Sequence, residues 1–231
     1  MSATGLIAGA RIGLGRGLRL QALGWALLAL CLVALGAFAE RRAGLLGAAN
    51  RALTGSAFGL VIPLYLFATA TTVLGGARLD HAASPIARFG HPRRRVALGL
   101  VLGTMLLGGL AAAVLGATAA LVAHDPSAPP TATDALTAAW IGALTGCAYG
   151  GLFALGSTFG ARGGGRIVAL LLDFLLGSTS GAAALFFPRA HAQNLLGAEP
   201  PLQLLTQPTS TACLAVLAVV LPAIALLRCP R

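Results

Sequence analysis

The chain has 231 residues, 57% of them hydrophobic and only 10% charged, with a net charge of +10. Soluble domains carry about 25% charged residues, so this composition excludes an ordinary soluble domain and belongs to a polytopic membrane protein. All sixteen basic residues are Arg; a P-loop needs its Lys on the nucleotide phosphates, so the chain is not a standard ATPase by itself.

The isoelectric point of about 11.4 does not point to nucleic acid, because the Arg residues fall between apolar runs, where they set membrane topology. Cys31, Cys147, Cys213 and Cys229 are scattered without a C-x-x-C, and at the edge of or inside apolar helices Cys acts as a small hydrophobe. His81, His91, His124 and His191 fall in predicted loops and lack ligand spacing. They read as solvated loop residues, and neither a metal nor a cofactor is expected.

In chain order, residues 1–17 carry Arg11 and Arg16 and, with Arg19, form a basic amphipathic lead-in along the cytoplasmic surface. The first span covers about residues 18–39, long enough for a hydrocarbon core of about 30 Å. A basic lead, an apolar core and Ala37-Phe38-Ala39 also fit a cleaved signal peptide, but the apolar run is longer than a usual signal core. Glu40 to Arg51 makes an external loop. The second span, about 54–75, contains Pro63, which removes a backbone hydrogen bond and predicts a kink.

From Ala77 to Pro92 runs a polar insert too long for a tight turn, with Leu79, Ile86 and Phe89 among its charges. That pattern predicts a short amphipathic helix at the membrane–water boundary, a docking element for a soluble partner. Arg93-Arg94-Arg95 opens the third span, about 96–122. The fourth, about 135–159, carries Gly142, Gly146 and Gly150, a spacing that clears one helix face for close packing.

The fifth span, about 167–187, contains Asp173, the only acid within an apolar segment. A carboxylate there costs about 2.5–3.5 kcal/mol on insertion scales, so it must face the bundle, water or a partner. Two roles compete: pairing with a nearby Arg such as Arg166, or lining a substrate or proton path. Pro188 to Pro208 alternates leucines with polar residues and prolines and suits short re-entrant or interfacial outer helices. The sixth span, about 209–227, carries Pro222 and ends in a basic tail. With the N-terminus inside, twelve Arg are cytoplasmic (11, 16, 19, 78, 88, 93, 94, 95, 162, 166, 228 and 231) against four outside (Arg41, Arg42, Arg51 and Arg189). Both termini are therefore expected in the cytoplasm.

The expected fold is thus all-α, a six-helix transmembrane bundle with a cytoplasmic amphipathic helix and outer re-entrant helices, in one domain over residues 1–231. This layout resembles the type-2 ABC exporter permeases across almost the whole chain. The best local match is Pro63, Gly75-Gly76, Asp80, Ser84-Pro85, Arg93-Arg94-Arg95 and Gly99, where the family shows a Pro in span two, Gly, an acidic coupling segment, a Ser-Pro piece, basic residues and a Gly in span three. The family's acidic run is reduced here to Asp80.

The resemblance implies a non-catalytic permease subunit of the inner membrane, paired with a second permease copy or a sister chain and docked on an ATP-binding ABC subunit. The coupling helix would then use Leu79, Asp80, Ser84, Pro85, Ile86, Arg88 and Phe89 to meet the ATPase, while Pro63 bends span two. Two other classes compete. An ion- or proton-coupled transporter would use Asp173, yet only one intramembrane acid is present and no internal repeat is found. An intramembrane enzyme is disfavoured because residues 177–181, Gly-Ser-Thr-Ser-Gly, fit neither nucleophile frame and no His lies within a span. A non-transporting membrane scaffold is the third alternative.

Overall fold

The computed structural model describes residues 4–44, 47–124, 132–179, 181–198 and 205–229, and among them every regular element is a helix. Residues 125–131, Ser180 of the 177–181 stretch, residues 199–204 of the Pro188–Pro208 segment and Arg231 lie outside the described residues. The helices are α1 (Thr4–Gly17), α2 (Leu20–Arg42), α3 (Ala48–Arg51), α4 (Ile62–Leu74), α5 (Leu79–Ala87), α6 (Arg93–Val122), α7 (Ala132–Gly156), α8 (Gly165–Leu176), α9 (Pro188–Leu195) and α10 (Gln207–Leu227). A π-helical segment, Ala52–Val61, joins α3 to α4.

Among the described residues, five helical stretches are long and apolar enough to cross a membrane: α2, the Ala48–Ala87 stretch, α6, α7 and α10. The expected fifth span is not one of them. Its first part forms α8, whose 12 residues extend only about 18 Å against a hydrocarbon core of about 30 Å. The helix stops because Gly177, Ser178 and Thr179 are poor helix formers, and the Ser178 and Thr179 hydroxyls compete for the backbone. Thr179 donates through both its N–H (3.1 Å) and its hydroxyl (2.7 Å) to the Leu176 carbonyl. A 3₁₀ turn at Ala182–Phe186 and α9 follow.

The core is organised on α7, with 67% of its apolar window buried against 22% for α2 and 28% for α10. Gly142, Gly146 and Gly150 face α6, where an added Cβ would collide with Ala112 and Gly108 carbonyls and crowd Met105. Gly116 answers from α6, with an added Cβ 2.7 Å from the Ala138 carbonyl. Small residues from both helices thus bring the two backbones into contact, which favours van der Waals packing where no hydrophobic force separates helix from lipid.

The lead-in helix α1 uses the same device. Its buried residues are Gly5, Gly9 and Gly13, which meet α6 successively at His91–Arg95, Val96 and Leu100, so the two helices run parallel. The four-residue glycine spacing, rather than an apolar face turned to a surface, determines how α1 is held. Outside this packed centre, α2, α8 and α10 present apolar side chains such as Leu27, Leu35, Leu171, Leu175 and Val219 on the exterior. An apolar exterior of this extent suits lipid and not water.

Pro63 is buried at the second position of α4, just where π winding gives way to α winding. Proline lacks the N–H that would close an α turn onto residue 59, and its ring crowds that carbonyl, so the preceding turns widen. Between α2 and the π-helical segment, Glu40 pairs with Arg51 at 2.8 Å.

Candidate functional site

Two places concentrate polar side chains. The first is α5, at the end of the bundle where α4 ends and α6 begins. Gly75, at φ +71°, reverses the chain after α4, a conformation that side-chain-bearing residues adopt only with strain. The α5 helix then lies against the bundle through Leu79, Ala82 and Ala83, all buried, and the Leu79 N–H donates to the Ser157 carbonyl at 3.3 Å.

The seven residues expected to face a partner divide accordingly. Pro85, Arg88 and Phe89 are exposed, Phe89 to 84%. Ser84 and Ile86 are half-buried, and the Ser84 hydroxyl donates back to the Asp80 carbonyl at 2.9 Å. Asp80 is held by Arg78, with Nε 3.4 Å from Oδ1. Leu79 is fully buried and anchors α5 to the bundle. His81, read from sequence as a loop residue, lies within α5 with its side chain 71% exposed. Its spacing to Pro85 and Arg88, four and seven residues on, places the three on one face.

Arginines fasten this end. Arg166, only 3% exposed, donates from Nη2 to the carbonyls of Gly75 (2.7 Å) and Ala77 (3.3 Å) and from Nη1 to Ala70 (3.3 Å). Its Nε reaches the Gly163 carbonyl at 3.2 Å. Arg16 donates to the Val73 carbonyl at 3.1 Å, and Arg94 to Cys229 at 2.9 Å. Cations at helix C-termini satisfy orphan carbonyls and oppose the negative end of the helix dipole.

The second place is a buried centre between α7, α8 and α9. Asp173 is wholly buried and Tyr149 is 1% exposed; the Tyr149 hydroxyl donates to Asp173 Oδ2 at 2.6 Å. The Arg189 backbone N–H faces Oδ1 at 3.5 Å. Tyr149 stacks on Phe153 with ring centroids 5.6 Å apart, and Phe67 meets Phe153 edge-on at 5.8 Å. The expected pairing of Asp173 with Arg166 does not occur, because the Arg166 guanidinium turns toward the carbonyls of the α4 terminus. Sequence spacing alone pointed to neither Tyr149 nor Arg189, since both reach Asp173 from other helices.

A smaller cluster secures α9 to α10. His191, fully buried, contacts the Leu185 carbonyl through Nε2 at 2.9 Å and the Ser210 hydroxyl through Nδ1 at 3.4 Å. Asn194 donates to the same hydroxyl at 2.7 Å. Burial pushes the imidazole below its ordinary pKa, partly offset by the Leu185 carbonyl. The reading of His191 as a solvated loop residue is thereby overturned: the half-apolar segment after Pro188 folds inward and carries its polar side chains with it.

No protein family, no curated protein and no solved structure matches this chain.

Proposed function

We propose that this chain is the membrane-spanning permease subunit of an ATP-driven exporter of the type-2 ABC kind, working as a pair and docked on a separate ATP-binding subunit. The observation that carries the reading is α5. It is a short helix between two apolar helices, anchored inward by Leu79 and exposing His81 and Pro85, with Arg88 and Phe89 exposed in the turn that follows it. A large aromatic held 84% exposed on a polar rim is the kind of anchor that docking surfaces use.

In this reading α5 is the cytoplasmic coupling helix. The short α8, the 3₁₀ turn and α9 together replace the fifth span and its re-entrant outer pieces, in an inner-membrane protein with both termini inside. Nucleotide-driven movement of α5 would pass to α8 through Arg166, whose donors hold the α4–α5 linker. No residue of this chain does chemistry.

Co-purification with a co-expressed ATP-binding ABC subunit from the same genome tests the proposal. Phe89→Asp, at an exposed position, leaves the fold intact and is expected to abolish capture of the ATPase and its stimulated hydrolysis. Full capture by that variant, or transport by the purified chain without an ATPase, overturns it. The complete burial of Asp173 favours one second reading, an ion- or proton-coupled transporter. Loss of transport in Asp173→Asn with ATPase coupling intact would support that reading.

A further inference from the structure

Arg189 enters the bundle from the first turn of α9, in the crevice between α8 and the π-helical segment. Its guanidinium carbon lies 4.7 Å over the Phe174 ring. Nη2 reaches Gly59, where an added Cβ would be 3.6 Å away, and an added Cβ at Gly177 would be 3.2 Å from the Arg189 Cβ. Among the described residues, Nε and Nη1 are buried and have no hydrogen-bond acceptor. Asp173 does not supply one: it accepts from the Tyr149 hydroxyl and the Arg189 backbone N–H, and the two charged side chains form no ion pair.

We propose that Arg189 anchors an oxyanion site at this end of the bundle, taking a phosphate or carboxylate group. Buried guanidinium donors without acceptors carry a desolvation cost that no contact offsets. A planar fork matches two oxygens of a phosphate or carboxylate, which a lysine does not. Phe174 holds the guanidinium by a cation–π contact on its ring. Arg189 as a whole is only half-buried, so part of its side chain stays accessible while Nε and Nη1 are covered. The apolar walls raise the strength of each contact.

Asp173 gives the site its sign of tuning. Its carboxylate is engaged by Tyr149 and not by the guanidinium, so it does not occupy the fork, but its charge opposes an incoming anion. Replacing it by a neutral isostere tightens the site. The inference stands on the geometry around Arg189 and does not depend on docking of an ATPase.

The chemistry has two sources, a lipid headgroup or a free anion, and the test separates them. The full chain is placed in phosphatidylcholine nanodiscs, and thermal unfolding is followed while inorganic phosphate is titrated or phosphatidylglycerol replaces part of the lipid. Stabilisation by phosphate in phosphatidylcholine alone identifies a free anion, and stabilisation only by phosphatidylglycerol identifies a headgroup. Arg189→Gln is expected to weaken the effective probe about tenfold or more, Arg189→Lys to weaken it less, and Asp173→Asn to tighten it several-fold. If Arg189→Gln does not fold, the other two variants decide. No stabilisation by either probe, or equal stabilisation in wild type and the Arg189 variants, overturns the proposal.

Discussion

Two arginines bracket α8, and they are treated oppositely. Arg166, at its start, is 3% exposed and gives all three nitrogens to four carbonyls. Arg189, docked beside its end, leaves Nε and Nη1 buried without an acceptor among the described residues. Burial alone therefore does not reveal what a charged side chain is for; the state of its donors does. The first arginine closes a structural joint between α4, the α4–α5 linker and α8. The second belongs to an incomplete set of contacts.

The sharpest way to break this contrast is Arg166→Gln. The shortened amide reaches at most one or two of the four carbonyls and leaves the rest of the buried α4 terminus unsatisfied. Hydrogen bonds to a charged group contribute about 1.5–3 kcal/mol each, so the variant is expected to lose about 3 kcal/mol of unfolding free energy in detergent. Arg166→Lys should recover only part of it, because an ammonium lacks the fork. A loss below about 0.5 kcal/mol would mean that the joint is not held by Arg166.

Next in size is the α6–α7 seam. Gly146→Ala places a methyl against the Gly108 carbonyl, a backbone atom that moves only with its helix. Overpacking of this kind costs about 1–3 kcal/mol. The control is Gly24→Ala in α2, where an added Cβ has nothing within 4 Å. There helix propensity alone acts, and the expected change is a gain of about 0.5–1 kcal/mol. Opposite signs for the same substitution in two apolar helices would separate packing from propensity.

These variants also show what the sequence discloses and what it hides. Composition and apolar run length are local quantities, and they suffice for an all-helical chain with long apolar helices. The Gly142–Gly146–Gly150 spacing is legible for the same reason, since a four-residue period is a property of one helix. The end of α8 at Gly177 was readable in principle, because Gly-Ser-Thr disfavours helix, but the apolar Ala182–Phe187 run beyond it masks the break. The buried centre was not readable. Tyr149, Asp173 and Arg189 come from three helices, and nothing along the chain announces that a tyrosine and an arginine converge on one acid. Arg166 misleads in the same way: seven residues from Asp173, it satisfies the periodicity of a pair while the open carbonyls of another helix offer it more bonds.

A smaller effect is expected where α9 meets α10. Burial holds the His191 imidazole below its ordinary pKa, so as pH falls the unfolded chain takes up a proton before the folded one does. The stabilisation is therefore complete above about pH 6.5 and is lost as pH drops through the lower, folded value. Limited proteolysis of the segment after Phe187 should be slow at pH 7.5 and faster at pH 5.5. In His191→Gln the rate should be raised at both pH values and nearly independent of pH. An unchanged wild-type rate across that interval would place the imidazole in contact with solvent.

The least change is expected at Arg189, and it is the more telling for that. Removing a side chain whose donors are satisfied leaves the acceptors stranded, which is why Arg166 matters to stability. Arg189 strands nothing when removed, because Nε and Nη1 have no acceptor to lose; what disappears is its contact with Phe174 and its attraction for Asp173. The first is an aromatic contact of about 0.5–1 kcal/mol, and relief from holding two buried, unpaired donors opposes it. In phosphatidylcholine, without added phosphate, Arg189→Gln should therefore unfold within about 0.5 kcal/mol of wild type, against about 3 kcal/mol lost by the same substitution at Arg166. A loss at Arg189 as large as that at Arg166 would show that its guanidinium is part of the structural joint, and the contrast between the two ends of α8 would close.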